Sequence, residues 1–205
     1  EKSEWPFPKP DEIEGKKQEV LMRQKKERIT IKEVRVLGSY GKMYHDSEAY
    51  PHTLRKLSKD VKKNDATAIA TAALLLSQII TPNSVLIPIP QSSGNAEYTL
   101  ELAIAIRAIR KDCAVADILS GTPRKKLYDI KKERVSLKGV RIGLKVKGNA
   151  DCKETLQSNT NIFLLDNVLN TGFTFNRARK ALRKYVRIEP SLLAISATSN
   201  WFNNN

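Results

Sequence analysis

The sequence predicts an α/β fold with a mostly parallel central sheet and helices on both faces. Two observations predict it. Val85 to Pro90 (VLIPIP) and Ile162 to Leu165 (IFLL) are short apolar runs bounded by polar residues. Each reads as a strand buried on both faces, because a buried helix would need a longer run. Each run is also followed by a small-polar loop and then a helical pattern. Right-handed crossovers of that kind lay strands parallel, with helices covering the sheet.

The chain has 205 residues and a net charge of +14. That length supports one sizeable core. The charge attracts polyanions, whether nucleic acid, an anionic surface or a diphosphate, and equally suits a solvated basic surface. Cys113 and Cys152 lie in no metal-ligating pattern and read as unpaired thiols. Ala68 to Ile80 is apolar but too short to span a bilayer, so no membrane association is expected. The start shows no signal-peptide arrangement, and the cytoplasm is the expected compartment.

Residues 1–28 read as an N-terminal arm. Pro6, Pro8 and Pro10 exclude regular helix at its start, and a charged helix is expected from Asp11 to Arg28. The main domain is expected over 29–199, with a polar tail at 200–205. Ile29 to Leu37 alternates and predicts a strand with an irregularity at Lys32-Glu33. Gly38 to Tyr50 reads as a loop holding Tyr40, Tyr44, His45 and Asp46, with His45 and Asp46 read as surface loop residues rather than as a catalytic or ligand pair. His52 to Lys63 predicts a basic helix, and Asp65 caps an apolar helix from Ala66 to Ile80.

After VLIPIP, the loop Gln91-Ser92-Ser93-Gly94 leads into a helix from Ala96 to Lys111, and Ala114 to Leu119 predicts a third strand. Gly121 to Lys147 carries ten Lys/Arg against Asp129 and Glu133, with a ribbon strand expected at Arg141 to Lys147. Asp166 breaks the IFLL run, Asn167 to Gly172 reads as a loop, and Phe173 to Tyr185 reads as a helix. Leu192 to Ala197 closes the sheet. A carboxylate at a strand end beside a helix N-terminus is where open α/β sheets place ligands. The N–H groups of Thr171, Gly172, Phe173 and Thr174 suit a phosphate, the hydroxyls of Thr171 and Thr174 add donors, and Gly172 permits close approach.

The run Ile162 to Leu165, Asp166, Asn167, Val168, Leu169, Asn170, Thr171, Gly172, Phe173, Thr174 resembles the phosphoribosyl-diphosphate (PRPP) signature of type I phosphoribosyltransferases. The VLIPIP strand with its polar loop, and the segment SGTPRKKLYDIKKER, resemble the ComF-like branch. The resemblance implies a type I phosphoribosyltransferase-like sheet with a basic hood or flexible-loop ribbon. It implies that Asp166 and Asn167 face the ribose hydroxyls and that Asn170 to Thr174 hold the 5′-phosphate. It implies a pyrophosphate loop at Gln91, Ser92, Ser93 and Gly94. Arg124, Lys125, Lys126 and Arg134 would neutralise the departing diphosphate. Mg2+ would arrive with PRPP near Asp166, with no direct protein cage. A homodimer is the family expectation.

Two positions depart from the signature. Asn167 stands where the family has a second acid, and Asn170 where it has a first threonine. An amide at 170 cannot take a proton, which argues against purine salvage by a base at that position. Three classes stay open on the sequence: a transferase acting on an unidentified acceptor, a PRPP- or ribonucleotide-binding regulator without turnover, and a ComF-like protein using its basic surface for nucleic acid.

Overall fold

The computed structural model describes residues 20–24, 27–31, 33–40, 51–125, 143–147, 156, 161–186 and 188–198. Its centre is a parallel sheet of five strands: β3 (Val34–Ser39), β4 (Ser84–Pro88), β5 (Ala114–Val115), β8 (Asn161–Leu169) and β9 (Ser191–Ala197). They lie in the order β3-β9-β8-β4-β5. All five residues of β4 are buried. In β8, Ile162 to Leu165 are buried without interruption. Layers on both sides of the sheet require such unbroken apolar runs.

One layer holds α1 (Pro51–Lys62), α2 (Ala66–Ser77) and α3 (Glu97–Ile109). Leu54, Leu76 and Leu102 there pack with Phe163, Leu165 and Leu193 of the sheet. The other face packs Phe175, Ala178 and Leu182 of α4 (Phe173–Leu182) against Ile162, Leu164 and Ala194. α2 begins as expected: the Asp65 carboxylate accepts the Ala68 N–H at 2.8 Å. α2 stops at Ser77 rather than Ile80, because its last carbonyls turn to other partners. Arg110 donates to Ser77 O at 2.8 Å and to Ile80 O at 3.1 Å. The helices α3 and α4 are likewise shorter at their C-terminal ends than the patterns predict.

Three expectations are corrected. The expected helix Asp11 to Arg28 is strand where it is described: β1 (Val20–Gln24) pairs antiparallel with β2 (Glu27–Ile31), and residues 11–19 and 25–26 lie outside the described residues. The register sets Val20 opposite Ile31 and Met22 opposite Ile29. β2 and β3 are separate strands, divided at the irregularity expected at Lys32-Glu33.

The expected strand Ala114 to Leu119 is two elements. β5 continues the parallel sheet, whereas β6 (Leu119–Gly121) pairs antiparallel with β7 (Leu144–Val146). Asp117 lies at the break, where its carboxylate holds Lys147 Nζ at 2.8 Å. Leu144–Val146 is a strand within the expected Arg141 to Lys147, while residues 126–142 of the basic segment lie outside the described residues.

The third correction concerns Asn167 to Leu169. They are strand, not loop, because β9 runs alongside them: Asp166 opposes Ala194, Val168 opposes Ser196 and Leu169 opposes Ala197. A polar pair in mid-strand does not end a strand whose ladder bonds and side-chain partners are supplied.

Candidate functional site

The neighbours β4 and β8 send their chains to opposite faces of the sheet. The α3 helix follows β4 and packs beside Phe163 and Leu165, whereas α4 follows β8 and packs beside Ile162 and Leu164. Two adjacent parallel strands whose helices diverge leave a crevice beyond their carboxyl ends, the topological switch point of an open sheet. The two loops singled out in the sequence, Gln91 to Gly94 and Asn170 to Thr174, follow the carboxyl ends of these two strands.

The loop after β8 is open. Gly172 has φ 67° and stands at the N-cap of α4, where no side-chain hydrogen bond caps the helix. The first bond into the helix runs from Asn176 N–H to Gly172 O at 2.9 Å. The Thr171 hydroxyl accepts the Phe173 N–H at 3.4 Å, a long bond. Among the described residues, the N–H groups of Thr171, Gly172 and Thr174 have no hydrogen-bond partner. These donors, with the positive end of the helix dipole, favour an anion. Asn170 is tied sideways, its Oδ1 accepting the Thr198 hydroxyl at 3.3 Å.

Asp166 and Asn167 have opposite surroundings. Asp166 is half-buried, and its Oδ1 accepts the backbone N–H of Asn167 at 2.7 Å. Burial pushes its carboxyl up to about 6, opposed by that N–H and by Lys62. It forms no ion pair with a described residue. Asn167 is only 8% exposed. Its Oδ1 accepts the Tyr98 hydroxyl at 3.1 Å, and its Nδ2 donates to Ser58 O at 3.3 Å. The amide therefore clamps α1 and α3 to β8, with both ends in use. Burial, then the charges of Asp166 and Glu97, raise the Tyr98 phenol well above its usual range, so it stays a donor.

The loop after β4 is closed upon itself. Gly94 N–H bonds to Gln91 O at 3.1 Å, and Gln91 N–H bonds to Asn95 O at 3.0 Å. The Gly94 carbonyl accepts the Gly121 N–H at 2.8 Å, and Ser92 O accepts the Arg124 N–H at 2.8 Å. The start of the basic segment is thereby fixed against this loop. Arg124 is half-buried, and burial lowers its pKa. Gln91 Nε2 is buried with no hydrogen-bond partner, and the N–H groups of Ser92 and Ser93 bond to no described residue. Gly94 adopts φ 95°, and a Cβ there would lie 2.3 Å from Gly121 O.

The structure thus brings Asp166, Asn170 to Thr174, Gln91 to Gly94 and Arg124 to one edge of the sheet, and Lys125 follows Arg124 there as an exposed residue. Lys126 and Arg134 lie outside the described residues, as do His45, Asp46 and Tyr128. Sequence reading missed the partners of Asn167. Tyr98 carried the only available signal, a phenol in the first turn of the helix that follows the loop. Ser58 carried none.

No family model matches the sequence, and no curated protein matches it. Among solved structures, the chain is similar to a purine phosphoribosyltransferase from Pyrococcus horikoshii Ot3, with 16% identity and a TM-score of 0.41 over 64% of this chain and 75% of that one. It is similar to the allosteric regulatory enzyme of purine biosynthesis, at 13% identity and TM-score 0.40, over 62% of this chain and 25% of that one. It is also similar to a hypothetical protein from Neisseria gonorrhoeae with bound ppGpp, at 13% and 0.38, over 64% and 66%. The chain therefore spans a quarter of the second of these proteins and just under two thirds of the third. These likenesses are too distant to carry a function from those proteins to this one.

Proposed function

We propose that the chain binds phosphoribosyl diphosphate in the crevice between β4 and β8, and transfers its phosphoribosyl group to a nitrogen acceptor. In that reaction the anomeric C–O bond to diphosphate breaks, a C–N bond forms, pyrophosphate leaves, and the acceptor's proton passes to water. The observation that carries the reading is the set of unpaired N–H groups at Thr171, Gly172 and Thr174, two to five residues beyond the strand that presents Asp166. In register with the sequence signature, those donors take the 5′-phosphate, and Asp166 takes the ribose hydroxyls.

Asn167 has no ribose contact in this reading, because its amide is spent on Tyr98 and Ser58. Its part is to hold the strand end. The diphosphate lies toward Ser92, Ser93 and the buried Gln91 Nε2, with Arg124 alongside, where fixed donors stabilise charge developing on the leaving group. Lys125, Lys126 and Arg134 belong to the same basic segment and extend that field in the same reading. The ComF-like branch is the subgroup whose strand and loop pattern these residues follow.

The residues fit magnesium only as an ion carried by the substrate. Asp166 offers hard oxygen atoms, and no group of three or more His, Cys, Asp or Glu side chains gathers among the described residues. One carboxylate plus substrate phosphates is an ordinary magnesium environment, and the ion would neutralise diphosphate charge there.

A PRPP-binding protein without turnover is the second reading, favoured by the single carboxylate that Asn167 leaves at the site. Calorimetric titration of PRPP with and without magnesium, on wild type and Asp166→Ala, tests the common part. Magnesium-assisted binding that the variant loses supports it, and equal binding by both proteins refutes it. Pyrophosphate release in the presence of acceptor mixtures separates the transferase from the binding protein.

A further inference from the structure

The layer formed by α2 and α3 differs from the other helices in what it turns to solvent. α2 contains no Asp, Glu, Lys or Arg, yet Ala66, Thr67, Ala70 and Leu74 are exposed. Among the described residues, the large apolar side chains left exposed are Leu74, Ile104 and Ile109, and all three stand on this layer. Ile104, in the middle of α3, is 48% exposed. The outer faces elsewhere are basic: α1 exposes Lys56, Lys59 and Lys62, and α4 exposes Arg177 and Lys180.

α3 does carry charge, in a particular order. Glu97, Glu101, Ile104 and Arg107 are exposed, and steps of three and four residues put them on one face of the helix. Lys111 is exposed just past the helix end. Among the described residues, none of these four charged side chains forms an ion pair. Glu97 and Glu101 are like charges one turn apart, which costs stability in an isolated helix. The helix dipole accounts for Glu97 in the first turn, but it fades before Glu101 and has no bearing on Ile104. Read from Ile104 outward, the order is the same in both directions with the signs exchanged. Glu101 and Arg107 lie three residues before and after it, Leu100 and Ala108 four, Glu97 and Lys111 seven.

We propose that the outer face of α2 and α3 docks a second copy of this chain, with the two α3 helices crossing antiparallel about a two-fold axis at Ile104. Ile104 then meets its own counterpart, Leu100 meets Ala108, and Glu101 meets Arg107 twice, once on each side of the axis. Glu97 comes beside Lys111 of the second copy. An isologous contact requires such self-complementarity, and a partner of different sequence does not. Two chains of net charge +14 repel across their lysine-bearing faces, whereas the uncharged small residues of α2 and the balanced charges of α3 let the copies approach. The inference is independent of the phosphoribosyl-transfer reading.

Sedimentation velocity of the full chain over a concentration series reads the association. Wild type is expected to dimerise. Glu101→Lys and Arg107→Glu each set like charges together twice, and each is expected to raise the dimer dissociation constant about a hundredfold or more. The double variant carrying both is expected to dimerise as wild type does. An equimolar mixture of the two single variants is expected to form a heterodimer, because the exchanged charges then face each other across the axis. Denaturation midpoints matching wild type establish that the variants fold, and Ile104→Arg gives the same reading should a charge variant fail to fold. A wild type that stays monomeric up to its solubility limit, as it would if the N-terminal arm of the same chain covered this face, overturns the proposal. So does a dimer that survives the single variants, or single variants that do not recover association on mixing.

Discussion

The loops after β8 and after β4 look alike in the sequence: each is a small-polar turn between a buried strand and a helix. In the structure they differ in what their backbone donors do. Among the described residues, the loop after β8 leaves the N–H groups of Thr171, Gly172 and Thr174 unpaired at the start of a helix with no side-chain cap. The loop after β4 spends groups on a turn, on Gly121 and on the Arg124 backbone, and among the described residues Ser92 N–H, Ser93 N–H and Gln91 Nε2 have no partner. One loop keeps backbone donors of the kind that suit an anion. The other is mainly a joint that fixes the basic segment in place. The strand–loop–helix pattern locates a candidate cradle, and the hydrogen-bond accounting decides whether donors remain to fill it.

The largest expected effect comes from Asp166, beside the open loop. Its folded-state pKa of about 6 lies above its ordinary value of 3.8, so the folded chain holds an extra proton between those pH values. Stability is therefore lost as pH rises from about 4 to 6, by up to about 3 kcal/mol at 1.36 kcal/mol per pKa unit. Asp166→Asn is expected to match wild type near pH 4 and to exceed its denaturation midpoint at pH 8. The same variant is expected to lose PRPP affinity, the trade expected of a strained functional group. Urea unfolding across pH reads the first effect, and a wild-type profile without this fall would refute it.

Gly94→Ala probes the joint. A Cβ 2.3 Å from Gly121 O cannot be accommodated without moving backbone, and φ 95° disfavours any side chain. A loss of at least about 2 kcal/mol is expected from the conformational term and the displacement together. Tyr98→Phe probes the clamp that holds the end of β8. It leaves Asn167 Oδ1 buried without its donor, at about 1–2 kcal/mol. Asn167→Asp is expected to destabilise as well, since a carboxylate would face the Ser58 carbonyl where Nδ2 now donates. Gly172→Ala has the smallest effect on stability, about 1 kcal/mol for a left-handed alanine, yet it is expected to weaken phosphate binding more than Gly94→Ala does. Denaturant midpoints and phosphate titrations on the paired variants check that crossing. If both glycine variants lose phosphate affinity equally, the contrast between the loops is wrong.

Much of the fold was legible because its signals are local. The runs Val85 to Pro90 and Ile162 to Leu165 announce strands buried on both faces, and Asp65 announces α2. The open loop after β8 was legible for the same reason, since Thr171 to Thr174 follow their strand directly. What the sequence concealed is tertiary. Asn167 reads as a ligand-facing residue beside Asp166, but its partners Tyr98 and Ser58 are 69 and 109 positions away. The continuation of β8 through Leu169 depended on β9 lying alongside. The β1–β2 pairing was hidden because Val20 and Met22 stand opposite Ile31 and Ile29 only once the two strands pair. Arg55 meets Tyr40 only when α1 folds over the end of β3.

The most direct test of the central claim is a titration of the 15N-labelled chain with ribose 5-phosphate, followed through its backbone amide resonances. Saturable downfield shifts at Thr171, Gly172 and Thr174, larger than any at Gln91 to Gly94, are predicted, with Asp166→Asn weakening the titration. Shifts confined to the Gln91–Gly94 loop, or spread over the basic surface without saturation, would contradict the account.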